Sequence, residues 1–310
     1  MLSGEGQAAV QGYARYLHEE QDLSAPTLRN YLSDLRHFAA WCEGSWSEGE
    51  DEELLFHPAA VTTPTITAYR SHLRTVLGLK PATINRRIVT LKRYFGWTRE
   101  MDLTSSDPAK AVKLVPSVPQ SPRHLDDKEE AALVSAVIRH GTPRDWALIT
   151  TALHTGLRAE ELCGLLPGHV RINKRSGHLE VYGKRNKHRV VPLNSTAREV
   201  LEEYMATLPK DIPCLFPSRK GSANEDGRRN ATPITPRALS YIVSRYAALA
   251  RVEDVSPHDL RHRFGYRMAA KVPLHRLAQI MGHDSLDTTM IYVRGTGADL
   301  QAAVEEIAWT

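Results

Sequence analysis

Residues 256–262 read Ser-Pro-His-Asp-Leu-Arg-His, and residues 281–292 read Met-Gly-His-Asp-Ser-Leu-Asp-Thr-Thr-Met-Ile-Tyr. The Ser-Pro pair is a helix cap and first-turn signal, so His258 falls at a helix amino terminus, where free N–H groups favour anions. Arg261 follows one turn later on the same face, and both side chains can reach one anion. Gly282 ends a helix spanning 273–281 and puts His283 just beyond it. Upstream, residues 154–162 read His-Thr-Gly-Leu-Arg-Ala-Glu-Glu-Leu, and residues 183–188 read Gly-Lys-Arg-Asn-Lys-His. Arg158, Lys184, His258, Arg261, His283 and Tyr292 thus form an ordered set suited to attack on a phosphodiester. Guanidinium is a fixed planar cation matched to phosphate oxygens, histidine moves protons near neutrality, and tyrosine can act as a covalent nucleophile.

Around this set the chain is predicted to be mainly α. Ser24 and Pro26 open a helix whose Leu28, Tyr31, Leu35, Phe38 and Trp41 share one stripe. Pro64 opens another through Ile66, Tyr69, Leu73 and Leu77. Pro81 opens a third, in which Ile84, Ile88, Leu91, Phe95 and Trp97 alternate with Arg86, Arg87, Lys92 and Arg93. These make a helical module over 1–104. Residues 105–123 include Pro108, Pro116, Pro119 and Pro122 without amphipathic pattern, which is linker composition. A second domain over 124–310 is helical except near 169–193, where two runs of branched apolar residues flank the Gly183–His188 turn as a β-hairpin. Residues 218–231 read as a polar loop, and Thr235-Pro236 starts a helix through about Ala250. Leu300, Val304 and Ile307 align on one face of a tail helix over 298–309.

The bulk numbers exclude little. At 310 residues there is room for two cores. A net charge of +4 permits a polyanionic partner without demanding one. Cys42, Cys163 and Cys214 are widely spaced and odd in number, which reads as inert thiols in a reducing cytoplasm. There is no signal-peptide pattern and no apolar run long enough for a bilayer.

The motif blocks TGLRAEEL, GKRNKHRVVPL, HDLRHRF and IMGHDSLDTTMIY, in this order and with the tail after them, resemble the tyrosine recombinases (phage-integrase family), which include the Xer-type resolvases. The amino-terminal half matches more loosely through APTLRNYLSDLRHFAAWC and PATINRRIVTLKRYFGW. The resemblance implies a SAM-like core-binding domain joined to a catalytic domain, closing as a C-shaped clamp on double-stranded DNA at core recombination sites. It implies transesterification by Tyr292 through a 3′-phosphotyrosyl intermediate, needing neither metal, ATP nor another cofactor. Arg158 and Arg261 would grip the phosphate, and His283 would hydrogen-bond it. Lys184 with His258 would protonate the leaving oxygen, and Glu161 would orient its neighbours. Arg86, Arg87, Arg185, Lys187 and Arg237 are candidate DNA contacts, with Arg189 a further one on the hairpin. The tail helix would pass to a neighbouring protomer in a synaptic tetramer, or dock on its own domain. Accessory proteins or a paired recombinase are further expected partners, and the start of the chain favours a Xer-like or transposon-borne member.

Other readings stay open on the sequence. His258 and His262 at i and i+4, with His283, resemble a zinc-hydrolase ligand set. A DNA-binding factor without catalysis would bind duplex and form no adduct. A type IB topoisomerase would share the nucleophile and relax supercoils as a monomer.

Overall fold

Prolines and capping side chains set the helix starts in this computed structural model, which describes residues 2–19, 23–47, 55–116, 122–183, 188–219, 231–292 and 304–305. The chain divides into two units, Met1–Pro119 and Gln120–Thr310. The first unit contains α1 (Gly4–Glu19), α2 (Ala25–Trp46), α3 (Thr63–Thr75) and α4 (Pro81–Glu100). Thr62 caps α3 by accepting from the Thr65 N–H, with Thr65 returning the bond. Ser24 occupies the expected position before α2, but its hydroxyl pairs with Thr27 Oγ1 at 2.8 Å and caps no backbone N–H.

The apolar stripes read from the sequence do form the first core: Leu35, Phe38, Ile66, Tyr69, Leu73, Ile84, Ile88 and Phe95 are fully buried. Leu77 falls outside α3 and is exposed. Much of the segment read as a linker packs onto this unit. Ala109 and Val112 are buried in its core, Thr63 Oγ1 donates to Pro108 O, and Asn85 exchanges two hydrogen bonds with the Val115 backbone.

The second unit contains α5 (Asp127–His140), α6 (Pro143–Thr155) and α7 (Ala159–Cys163), then β1 (Val170–Ile172), β2 (Gly177–Tyr182) and β3 (His188–Pro192). It continues through α8 (Ser195–Ala206), α9 (Pro236–Leu249), α10 (Pro257–Ala269), α11 (Leu274–Met281) and α12 (Leu286–Met290). The expected hairpin is there, widened by β1 into an antiparallel sheet of order β1-β2-β3. Leu179 faces Val191 in register, and both are fully buried together with Val181, the inward half of a period-two pattern. The expected tail helix lies outside the described residues apart from Val304 and Glu305, and most of the 218–231 loop lies outside them too. Among the described residues no helix is long and apolar enough to cross a membrane.

One helix departs from the usual division of polar and apolar faces. α10 buries Asp259, Arg261, His262 and Arg263 beside Leu260 and Phe264. Each buried charge or ring has a partner, as desolvation requires. Asp259 accepts from the Ser256 N–H and hydroxyl, while Arg263 binds Asp127 and Glu130 on α5. A helix so expensive to desolvate is where function is to be sought.

Candidate active site

The carboxyl end of α11 organises the site. The last carbonyls of a helix have no intrahelical partner and carry its negative dipole end. Here each of three successive carbonyls accepts from a different arginine. Arg189 Nε reaches Ile280 O at 3.0 Å, Arg261 Nη2 reaches Met281 O at 2.9 Å, and Arg158 Nη2 reaches Gly282 O at 2.6 Å. Gly282 has φ +67°, the left-handed conformation that turns the chain here, and a Cβ would lie 2.7 Å from Arg189.

Glu161 binds two of these guanidinium groups. Arg189 grips it through two nitrogens at 2.7 and 2.8 Å, and Arg158 adds a side-chain contact at 3.1 Å and its backbone N–H at 2.7 Å. Burial pushes the Glu161 carboxyl up, but the bonds from Arg189 and Arg158 outweigh it, and the pKa lies below the usual carboxylate range. Glu161 is thus an ionised anchor holding two cations apart and aimed. Arg189, a candidate contact with DNA on the sequence, faces inward on β3 and is nearly buried.

These groups wall a cleft of about 920 Å³, lined by Arg158, Glu161, Arg189, His258, Arg261 and His283, with Glu160, Asp284 and Tyr182 also on its rim. Arg261 is 3% exposed and also donates to Gly156 O. Burial, then Arg158, lowers its pKa to about 10, which leaves it charged at neutral pH. His283 is held by Thr289 Oγ1 at 2.7 Å. Burial and the Arg261 and Arg158 charges push it down to about 4, so it is neutral and able to donate one hydrogen bond. His258 is lowered by burial first and Arg261 second. The cleft therefore sets three guanidinium groups against three carboxylates, and it presents forked donors and two imidazoles held toward the neutral form. Such a set stabilises charge on a phosphoryl group undergoing displacement.

Tyr292 is brought close, though it does not line the cleft. It is 6% exposed in a small core with Phe264, Leu277 and Met281. Its ring lies against Gly265, where a Cβ would come within 2.6 Å of it, and stacks near His283 at 6.2 Å between centroids. Burial raises the phenol pKa, and Arg261 opposes that rise. Its hydroxyl lies 3.0 Å from His262 Nδ1. His262, a metal-ligand candidate on the sequence, turns toward the tyrosine. Among the described residues no group of His, Cys, Asp and Glu is placed to hold a metal ion.

Of the other predicted residues, Lys184, Arg185 and Lys187 lie outside the described residues. Arg237 is exposed in the first turn of α9. Arg86 and Arg87 both turn to Asp34, which is 3% exposed and also accepts from Thr90. Arg87 is largely covered, so these two arginines serve first to compensate a buried carboxylate.

Comparison with known proteins shows the family. The Phage integrase family profile matches residues 123–297, and the Phage integrase N-terminal SAM-like domain matches residues 10–100. Tyrosine recombinase XerD of Xanthomonas campestris pv. campestris is 32% identical over 306 residues, covering 94% of this chain and 88% of its own. Tyrosine recombinase XerC of Mycobacterium sp. (strain KMS) is 28% identical, covering 97% of this chain and 98% of its own. Two solved structures share the fold. XerH site-specific recombinase bound to difH substrate has a TM-score of 0.70 at 20% identity, over 95% of this chain and 83% of that one. A lambda integrase dimer bound to a COC′ core site has a TM-score of 0.70 at 17% identity, over 98% and 97%. The chain belongs to the phage integrase family and is a tyrosine-type site-specific recombinase. The metal-hydrolase and non-catalytic readings find no support in these matches.

Proposed function

We propose that this recombinase cuts and rejoins duplex DNA with Tyr292 as nucleophile, at a phosphate bound in the cleft of the second unit. The observation that carries the reading is the convergence of Arg158, His258, Arg261 and His283 on one cleft, with the Tyr292 phenol packed behind its wall. Arg158 and Arg261 grip the nonbridging oxygens, and His283 donates to one of them. Tyr292 attacks phosphorus, forming a 3′-phosphotyrosyl bond, and the 5′ oxygen leaves with a proton supplied by Lys184 and His258. A 5′-hydroxyl from a partner strand reverses the step, and the ester bond energy is conserved throughout. Glu161 positions Arg158. Because Tyr292 is packed away from the cleft, its side chain must shift to reach a phosphate there. The reaction is placed in the cytoplasm, beside the chromosome. It proceeds in a tetramer of recombinases, with the segment after Tyr292 passing between protomers.

The test is covalent trapping. A randomised pool of nicked duplexes is incubated with the wild-type chain and with Tyr292→Phe, and protein-linked DNA is recovered under denaturing conditions. Wild type is expected to enrich one core sequence as an adduct, while the variant binds that sequence without linking to it. Adduct in the variant contradicts the assignment.

A further inference from the structure

Among the described residues His262 is the polar group in hydrogen-bond contact with the Tyr292 hydroxyl, and the assigned roles leave it without a function. The contact is specific. Nδ1 lies 3.0 Å from the phenol oxygen, both residues are buried, and the seat is fixed by Gly265 and by Tyr266, whose ring meets that of Tyr292 edge-on at 5.2 Å. His262 also packs edge-on against cleft-lining His258, with ring centroids 4.2 Å apart, so it lies between the cleft wall and the nucleophile.

We propose that His262 is a catalytic residue that accepts the Tyr292 proton through Nδ1 as the phenol leaves this seat to attack phosphorus. The inference rests on the reading of Tyr292 as nucleophile. In the forward step the Tyr292 oxygen–phosphorus bond forms and the phosphorus–5′-oxygen bond breaks. The phenolic proton moves to His262 Nδ1, and the departing oxygen takes its proton from the donor on its own side. In the rejoining step the 5′-hydroxyl attacks, the phosphotyrosyl bond breaks, and His262 returns the proton to the departing phenolate. A phenol whose pKa burial has raised does not ionise unaided at neutral pH, so an acceptor at this position serves both directions.

The surroundings suit the role. His262 faces His258, Asp259 and Arg261 on its own helix, His124 from the segment before α5, and Tyr292 itself. Burial, then His258, holds it at about 4, so its ring is neutral, and in the tautomer protonated at Nε2 its Nδ1 accepts. A base that weak gains strength when a phosphate anion enters the cleft, because the new negative charge favours imidazolium.

The test compares wild type with His262→Asn, whose amide oxygen can accept the phenol hydrogen bond but cannot take the proton, and with His262→Gln as a second variant. Duplex binding, read by mobility shift on the trapped core sequence, confirms that each is folded. Single-turnover adduct formation is expected to fall by about 100-fold or more in both variants with binding kept. The loss is expected to persist on a duplex with sulfur replacing the bridging 5′ oxygen, because that leaving group needs no proton. The variants' rates are expected to climb with pH above neutrality as solvent ionises the phenol. Adduct formation as fast as or faster than wild type, or rescue by the sulfur substrate, overturns the proposal. Absence of adduct from wild type overturns the nucleophile reading along with it.

Discussion

Arg158 shows how one side chain can be both structural and poised. Its guanidinium caps Gly282 O and touches Glu161, yet its side chain remains 45% exposed, so donors are left facing the cleft. A lysine could satisfy one of these acceptors but cannot span carbonyl, carboxylate and phosphate at once. Arg158→Lys is therefore expected to keep duplex binding and lower the adduct-forming rate by about 10²- to 10³-fold. Near-normal turnover would remove Arg158 from the phosphate. Arg158 was legible from its glycine-flanked context and family motif. His262 and Arg189 were not, because what defines them is a partner 30 and 28 residues away. The ion pairs of Arg86 and Arg87 were hidden for the same reason. A basic helix flank looks solvated until Asp34, 52 residues from Arg86, is seen buried between them.

At the level of elements, the short α7 and the end of α11 are joined through Glu161, Arg158 and Arg189. Glu161→Gln would leave Arg189, with a side chain 12% exposed, beside Arg158 without a carboxylate. Removing one partner of a buried pair leaves an uncompensated charge and costs on the order of 3 kcal/mol. Urea unfolding should show a loss of that order, and an unchanged midpoint would mean that solvent replaces the carboxylate. Helix starts were the most readable part of the fold, because proline and hydroxyl residues punctuate them: Pro81, Pro236 and Pro257 each begin a helix as expected. β1 escaped because three residues, Val170–Ile172, are too few to show alternation. The packing of 107–115 escaped because Asn85 and Arg70 hold backbone carbonyls there, and such bonds leave no periodic trace.

Across the whole molecule, one buried imidazole and one half-buried imidazole tie stability to pH. His262 and His283 are lowered from 6.5 to about 4, each by burial first, so the unfolded chain binds more protons than the folded one between those values. Stability from this source is complete above about 6.5 and lost as pH falls toward about 4. Melting of the intact protein should therefore drop steeply over that window, and His283→Gln should flatten part of the slope. A melting temperature constant down to pH 4 would contradict the neutral state of both rings. The central claim is that the Tyr292 oxygen becomes bonded to DNA phosphorus, and it is tested most directly by proteolysis and mass spectrometry of the trapped adduct. The account predicts a nucleotide joined through its 3′ phosphate to the peptide containing Tyr292. A nucleotide on any other side chain, or joined through its 5′ phosphate, would contradict it.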